Sequence, residues 1–292
     1  MSHSASMSPR ERHVDCLSPA GFHRMAYVEW GDPANPRVLV CVHGLTRCGR
    51  DFDFLAQALV ADYRVVCPDV VGRGRSDWLR DKNHYAIPQY AQDMVALLAR
   101  LDVEQVDWLG TSMGGMIGMA LAAQEGNPIR RLILNDVGPV IAAAALQRIG
   151  EYLATPPDFA SPAEAEAYIR VVAAPFGHLT DDQWRHLTTH VIKSGPQGRF
   201  QLRYDPGIAA PYQAMVAGPD GIRDIDLWPL YEAIRCPTLA MRGENSDLLS
   251  RATLAEMAQR GPRARTAEVP GVGHAPMFLD DAQVAVVRDF LR

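Results

Sequence analysis

Two short groups of residues have the side-chain types and the spacing that acyl-transfer chemistry needs. The first is the G-x-S-x-G pattern of residues 110–114, with Ser112 at its centre. It follows a short apolar stretch, 106–109, and precedes a run of helix-forming residues, so strand, tight turn and helix are expected in succession. Glycine at both flanking positions lets the backbones approach closely in so sharp a turn. The pattern therefore predicts that Ser112 is a nucleophile presented at the end of a strand.

The second group supplies a base. A serine hydroxyl is a weak nucleophile until a base accepts its proton, and His274 is the candidate. It lies in a loop near the C-terminus, and its neighbours Gly271 and Gly273 allow that loop to fold back toward Ser112. Nucleophile and base are thus predicted from distant parts of the chain.

The negative charge that develops on the carbonyl oxygen needs preorganised N–H donors. The backbone N–H groups of Met113 and Leu45 are the candidates, because Met113 directly follows the serine and Leu45 directly follows the pair His43-Gly44. They predict an oxyanion hole formed by the backbone.

The elements that must hold these residues alternate between strands and helices. Continuous apolar runs, typical of strands buried on both faces, occur at 38–42, 63–67, 106–109, 132–134 and 238–241. Helical patterns separate them, so we predict a mostly parallel sheet flanked by helices, preceded by an antiparallel hairpin of 13–17 and 22–30. Ligands bind at the carboxyl ends of such strands, which makes the residues after each run the candidates for a site.

The interval 140–228 departs from this rhythm. It contains helix candidates with capping sequences but no buried parallel strand, so we predict a helical cap inserted after the sixth strand, with a core of 1–139 and 229–292. Mainly apolar side chains of the cap are expected to face the substrate: Ile141, Leu146, Ile149, Tyr152, Trp184 and Tyr212. The candidate substrate-binding residues are His43, Trp184 and Tyr212.

One pair of histidines in the cap has the spacing of metal ligands. His186 and His190 lie four residues apart on one predicted helix. A metal site needs at least a third ligand, and the sequence does not indicate one. We therefore expect a packed or solvated helix face and no metal.

Composition excludes several classes of function. The chain has 292 residues, 48% of them hydrophobic, and a net charge of −5, which is no basis for nucleic-acid binding. Its five cysteines lack C-x-x-C spacing, so we expect free thiols. No apolar run is long enough to cross a bilayer, and the N-terminus lacks the apolar region of a signal peptide. We expect a cytoplasmic protein.

Several short motifs resemble those of the α/β-hydrolase superfamily, over nearly the whole chain. They are His43-Gly44, Asp69-x-x-Gly72-x-Gly74-x-Ser76, the turn at Ser112, Gly243-x-x-Ser246-Asp247 and Gly271-x-Gly273-His274. The resemblance implies the fold described above and the chain order nucleophile, acid, histidine. The cap and the spacing are most similar to those of bacterial carboxylesterases and related C–C-bond hydrolases.

The acid that orients His274 has three candidates. The resemblance favours Asp247, because this fold usually supplies its acid from the loop after the corresponding strand. In many relatives the acid falls three residues after a glycine, a slot that Ser246 holds here, so Glu244 from the same loop is an alternative. Asp136 follows the preceding strand, where some lipases of this fold place their acid. We predict Asp247.

These residues predict a serine hydrolase that cleaves a small to medium carboxylic ester through an acyl-enzyme intermediate, without a cofactor. A lactonase or a C–C-bond hydrolase with the same triad is the alternative. Relatives that cleave C–C bonds tend to carry an aromatic residue directly after the histidine, where Ala275 stands here. A binding protein without turnover is a third hypothesis, against which the intact residue set argues. The expected partner is a small-molecule ester, and neither its identity nor the oligomeric state follows from the sequence.

Overall fold

The first part of the chain alternates strands and helices as predicted. The computed structural model describes residues 8–154, 156–218 and 221–292. The elements before the cap are β1 (Arg10–Ser18), β2 (Gly21–Trp30), β3 (Val38–Val42), α1 (Asp53–Leu59), β4 (Arg64–Pro68), α2 (Ile87–Leu101), β5 (Val106–Thr111), α3 (Met113–Ala122) and β6 (Ile129–Asn135).

The segment 140–228, which we call the cap, is mostly helical and also contains short antiparallel strands. Its elements are β7 (Val140–Ile141), α4 (Ala143–Ala154), β8 (Asp158–Phe159), α5 (Pro162–Val172), α6 (Asp181–Val191), β9 (Ile192–Ser194), β10 (Phe200–Leu202), α7 (Ala210–Ala217) and β11 (Ile225–Asp226). Helix α6 begins with a capping box in which Thr180 and Gln183 satisfy each other's backbone N–H groups. Because β7 pairs with β11, the chain leaves the core and returns to it at one place.

After the cap the chain completes a single eight-stranded sheet. The remaining elements are α8 (Trp228–Ala233), β12 (Thr238–Gly243), α9 (Arg251–Met257), β13 (Arg265–Val269) and α10 (Asp281–Leu291). The strand order is β1-β2-β4-β3-β5-β6-β12-β13. β2 is antiparallel to both β1 and β4, and the other six strands of this sheet, β4-β3-β5-β6-β12-β13, are parallel to one another. β5 is therefore a central strand, and Ser112, which directly follows it, lies near the middle of the row of strand ends.

Alternate residues of β3 explain why the strands are apolar on both faces. Val40 packs in a cluster with α2 and α3, whereas Leu39 and Cys41 pack in a second cluster with α1 and α10. All three side chains are fully buried. The sheet thus has a hydrophobic core on each side, as continuous apolar strands require.

The cysteines and the apolar character of the helices were both considered from composition. All five cysteines are free, and four of them are buried. Within the described ranges, none of the helices combines the length and the apolar character that a bilayer span demands.

Candidate active site

The turn after β5 has the strained geometry that the G-x-S-x-G pattern predicts. Ser112 has φ +52° and ψ −113°, a conformation that costs free energy for a residue with a side chain. A Cβ atom on Gly110 would overlap the carbonyl of Gly114, and one on Gly114 would overlap the carbonyl oxygen of Val42. Only glycine fits at these two positions, and the turn presents the Ser112 hydroxyl at the sheet edge.

The loop after β13 brings His274 to this serine. The Nε2 atom of His274 lies 3.0 Å from Ser112 Oγ. The loop is held from the core by Asn135, whose side chain donates to the carbonyl of Pro276 at 2.8 Å. It is held from the cap by the backbone N–H of Gly273, which donates to the carbonyl of Pro175 at 2.6 Å. His274 is therefore fixed within proton-transfer distance of Ser112.

The other ring nitrogen of His274 contacts Asp136, which directly follows β6. The distance from His274 Nδ1 to Asp136 Oδ2 is 2.6 Å. The carboxylate is fully buried and also accepts hydrogen bonds from the backbone N–H of Gly243 (2.9 Å) and the hydroxyl of Ser246 (2.7 Å). Three donors stabilise the negative charge and fix its position under the imidazole.

The choice of Asp247 as the partner of His274 is corrected by this geometry. Asp247 is more than half exposed and pairs with Arg148 of α4 at 2.8 Å. After Ser246 has turned inward to Asp136, the next side chain of the loop points outward. Glu244 also has another partner, since its carboxylate accepts the backbone N–H of Gly271 at 2.8 Å.

The loop after β3 passes beside the nucleophile. A Cβ atom on Gly44 would lie 3.8 Å from Ser112 Cβ, which places the next residue, Leu45, next to the serine. Met113, the second predicted oxyanion donor, is the first residue of α3, where backbone N–H groups have no partner within the helix. Met113 directly follows Ser112 in the chain and Leu45 directly follows a residue that lies beside Ser112, so both stay the predicted oxyanion donors.

His43 supports this loop from below. The ring lines the cavity, but its Nδ1 lies 2.7 Å from the carbonyl of Gly44 and its Nε2 accepts the backbone N–H of Val70 at 2.9 Å. Burial, with a smaller contribution from the cations Arg73 and Arg47, lowers the pKa of His43 to about 3. With both ring nitrogens hydrogen-bonded, the neutral ring holds the loop after β3 in place. That His43 also contacts substrate stays a prediction.

A cavity of about 370 Å³ opens at Ser112 and His274, between the sheet edge and the cap. Its walls are mainly apolar, and the residues that provide them include Leu45, Ile149, Tyr168, Ile169, Val172, Phe176, Val191, Leu202, Tyr204, Leu248 and Met277. Of these residues, only Ile149 and Leu45 are indicated as site residues by the sequence. The others lie on three cap elements, α5, α6 and β10, and in four connecting segments, and their shared position depends on how the cap packs.

The predicted substrate-binding residues Trp184 and Tyr212 are not among the lining residues. Trp184 is buried within the cap, with the guanidinium of Arg170 5.7 Å from its ring centroid. Burial raises the pKa of Tyr212 to about 12, and its Cβ lies close to Gly150 of α4. Trp184 packs within the cap, and Tyr212 packs beside α4, near Tyr90 and Arg73 of the core. The side chain of Tyr152, also predicted to face the substrate, lies outside the described part of the structure.

The sequence and the fold are both similar to those of known proteins. A family model of the alpha/beta hydrolase fold matches residues 37–281. The chain belongs to the α/β-hydrolase family. A 3-hydroxybutyrate-oligomer hydrolase of Cupriavidus necator is 55% identical over 288 residues, which cover 98% of each chain. A solved putative hydrolase of Rickettsia typhi is 31% identical with a TM-score of 0.88, covering 98% of this chain and 99% of that one. An α/β hydrolase of Novosphingobium aromaticivorans is 36% identical with a TM-score of 0.83, covering 97% and 98%.

In this α/β-hydrolase the histidine pair of the cap packs against the core. His186 Nε2 lies 3.0 Å from the carbonyl of Arg50 and 3.5 Å from Asp53 Oδ2. Burial lowers the pKa of His190 to about 3, which keeps its ring neutral. Asp53 is a third potential ligand that the sequence did not reveal, but Arg50 already occupies its carboxylate. The two rings also contact each other, with their centroids 4.7 Å apart.

The low pKa of His43 makes the stability of the α/β-hydrolase depend on pH. The pKa of His43 is 6.5 in the unfolded chain and about 3 in the folded protein, so between these pH values the unfolded state binds more protons. The free energy of unfolding should therefore fall as pH decreases from 6.5, by up to about 1.4 kcal/mol per pH unit from this residue. In His43→Gln, whose amide oxygen can still accept the N–H of Val70, urea unfolding should show a shallower decrease. Equal slopes in the two proteins would contradict the assignment.

Proposed function

We propose that the protein is a carboxylic ester hydrolase with an acyl-enzyme mechanism and that its substrates are short oligomers of 3-hydroxybutyrate. The activity is supported by the hydrogen bonds that connect Asp136 to His274 and His274 to Ser112. Both Ser112 and His274 line an apolar cavity. The substrate class is supported by the relative from Cupriavidus necator, to which this chain is similar over its whole length.

Acylation begins when Ser112 Oγ attacks the carbonyl carbon of the ester and His274 Nε2 accepts the hydroxyl proton. Asp136 holds the proton on His274 Nδ1 and stabilises the imidazolium that forms. The oxyanion accepts hydrogen bonds from the backbone N–H groups of Met113 and Leu45. The tetrahedral intermediate then collapses, the C–O bond to the alcohol breaks, and His274 returns its proton to the departing oxygen.

Deacylation repeats these steps with water. His274 accepts a proton from a water molecule, the resulting hydroxide attacks the acyl carbon, and the bond to Ser112 Oγ breaks. The serine oxygen recovers its proton from His274, and the carboxylic acid leaves. Every proton is transferred through this one ring, so no cofactor is required.

The cavity fits the acyl part of a 3-hydroxybutyrate ester. Each unit has a four-carbon backbone whose third carbon carries the ester oxygen, so both sides of the scissile bond present small apolar groups. Walls such as Ile169, Val191 and Leu202 offer apolar contact to these groups. A cavity of about 370 Å³ holds a short oligomer rather than a polymer.

The same walls predict a dependence on acyl chain length. Each buried CH₂ group contributes about 0.8 kcal/mol, or roughly a fourfold gain in binding, until the cavity is full. With p-nitrophenyl esters, kcat/KM should rise from acetyl to butyryl and fall for long chains. A flat or steadily falling profile would indicate that the apolar residues only pack the cap.

Product analysis tests the proposed substrate. Purified protein incubated with the dimer and trimer of 3-hydroxybutyrate should release the monomer, as measured by liquid chromatography, while Ser112→Ala releases none. A lactone in the same assay tests the alternative of ring opening. Hydrolysis of p-nitrophenyl butyrate without cleavage of the dimer would reject the oligomer as substrate, and failure on every ester would reject the activity.

We also propose that the protein acts in the cytoplasm. Its five free thiols are typical of a reducing compartment, where disulfides do not persist.

A further inference from the structure

Two ion pairs provide the charged side chains among the described residues that line the cavity. Asp51 is buried and holds the guanidinium of Arg47 through two hydrogen bonds, of 2.8 and 2.6 Å. The second pair joins Arg148 of α4 to Asp247 at 2.8 Å, and the two side chains are 58% and 59% exposed. One pair is therefore inside the site, and the other marks where the cavity opens to solvent.

The two pairs differ in how easily they can exchange partners. Breaking a buried pair leaves an uncompensated charge, so Arg47 stays with Asp51. An exposed pair contributes little to stability because water solvates both groups once they separate. Arg148 can therefore leave Asp247 for another carboxylate at low cost.

The position of the exposed pair connects it to the substrate. Ile149 and Leu248, the residues that directly follow Arg148 and Asp247, both line the cavity. One side of the pair belongs to the cap and the other to the loop after β12. A ligand that extends from Ser112 to the opening would end beside them.

We propose that Arg148 binds the free carboxylate of an oligomer substrate and that this carboxylate replaces Asp247. The inference rests on the proposed function, because a 3-hydroxybutyrate oligomer ends in a carboxylate whereas a simple ester has none. A guanidinium binds a carboxylate through two parallel N–H groups, which gives orientation as well as attraction. Arg148 is paired with Asp247 before the exchange and with the substrate carboxylate after it. Asp247 therefore competes with the substrate for Arg148, and water solvates it once it is released.

This exchange predicts opposite effects for the two partners. Arg148→Gln removes the binding group, whereas Asp247→Asn removes its competitor and one negative charge at the opening. Matched controls are Arg185→Gln and Asp182→Asn, since these residues form an exposed pair within α6 that does not line the cavity. The controls change the net charge of the protein by the same amounts.

The measurement is the ratio of kcat/KM for the 3-hydroxybutyrate dimer to that for its neutral methylamide, which differs only at the carboxylate. We expect Arg148→Gln to lower this ratio on the order of tenfold. Asp247→Asn should raise it several-fold, and the two controls should leave it within about twofold of the wild-type value. The preference for the anion should also weaken at high salt.

Two results would overturn the proposal. One is a fall in the ratio for Asp247→Asn like that for Arg148→Gln, since the pair would then only hold the cap to the core. The other is a change in Arg148→Gln no larger than in Arg185→Gln.

Failure of the proposed function gives a different result. If the wild type cleaves p-nitrophenyl butyrate but not the dimer, 3-hydroxybutyrate is used as an inhibitor of p-nitrophenyl butyrate hydrolysis. The inhibition constant should then rise on the order of tenfold in Arg148→Gln, and an unchanged constant would reject the carboxylate site as well.

Discussion

Ser112→Ala should lose ester hydrolysis by on the order of 10⁵- to 10⁶-fold and should no longer react with a fluorophosphonate probe. The reason is that the proposed reaction passes through a covalent bond to Ser112 Oγ, which lies 3.0 Å from the Nε2 atom of His274. Alanine fills the position without adding volume, so the fold should be retained. Activity is measured with p-nitrophenyl butyrate, and labelling with a fluorescent fluorophosphonate.

Circular dichroism and thermal unfolding provide the control for this variant. The strained backbone at Ser112 is imposed by the glycines around it, and alanine adopts that backbone at a cost similar to that of serine. A folded alanine variant that still labels, or that keeps hydrolysis comparable to the wild type, would show that the nucleophile is a different residue.

Asp136→Asn should lower kcat by about 10⁴-fold while leaving the fold intact. The amide has the shape of the carboxylate, so it can still accept the N–H of Gly243 through its oxygen. Toward His274, however, it neither stabilises the imidazolium nor keeps the proton on Nδ1. The base is then present in the wrong tautomer for the Ser112 hydroxyl.

Asp247→Asn and Glu244→Gln are the comparison variants, because both residues lie in the loop that the sequence favours for the acid. Each should stay within about tenfold of the wild type on p-nitrophenyl butyrate, since neither carboxylate contacts His274. A loss of several orders of magnitude in Asp247→Asn, together with a nearly fully active Asp136→Asn, would identify Asp247 as the acid and reject Asp136.

The fold could be predicted from local signals. Buried parallel strands need apolar residues on both faces, and this leaves continuous runs such as 38–42 that are visible without the structure. The turn at Ser112 could be predicted for the same reason, since only glycine fits at 110 and 114. The hairpin of β1 and β2 was also predicted, with ends that differ by a few residues from those observed.

The acid could not be chosen from the sequence, because β6 and β12 are neighbouring parallel strands. Residues after either strand reach the same side of His274, so their chain positions do not separate them. The outcome depends on the direction of three side chains in the loop after β12. Ser246 points inward and donates to Asp136, and Asp247 points outward. One signal in the sequence did point away from this loop. Ser246 holds the position at which many relatives have the acid, so the carboxylate has to come from another part of the chain.

The cavity walls were the least predictable part. Helical periodicity shows that Trp184 is on a buried face of α6, but it does not show whether the cap or the cavity buries it. Tyr168 and Tyr204 line the site from α5 and from the loop after β10, elements that the sequence does not relate to each other. Their proximity is a result of tertiary packing.

In the proposed reaction, Ser112 carries the acyl group of a 3-hydroxybutyrate oligomer. The most direct test of this step is rapid mixing of the wild-type protein with the trimer, an acid quench at millisecond times and mass spectrometry of the peptides. We expect a 3-hydroxybutyryl ester on the peptide that contains Ser112, formed before the steady state and absent in Ser112→Ala. Release of product while the acyl group is found on another residue would contradict it.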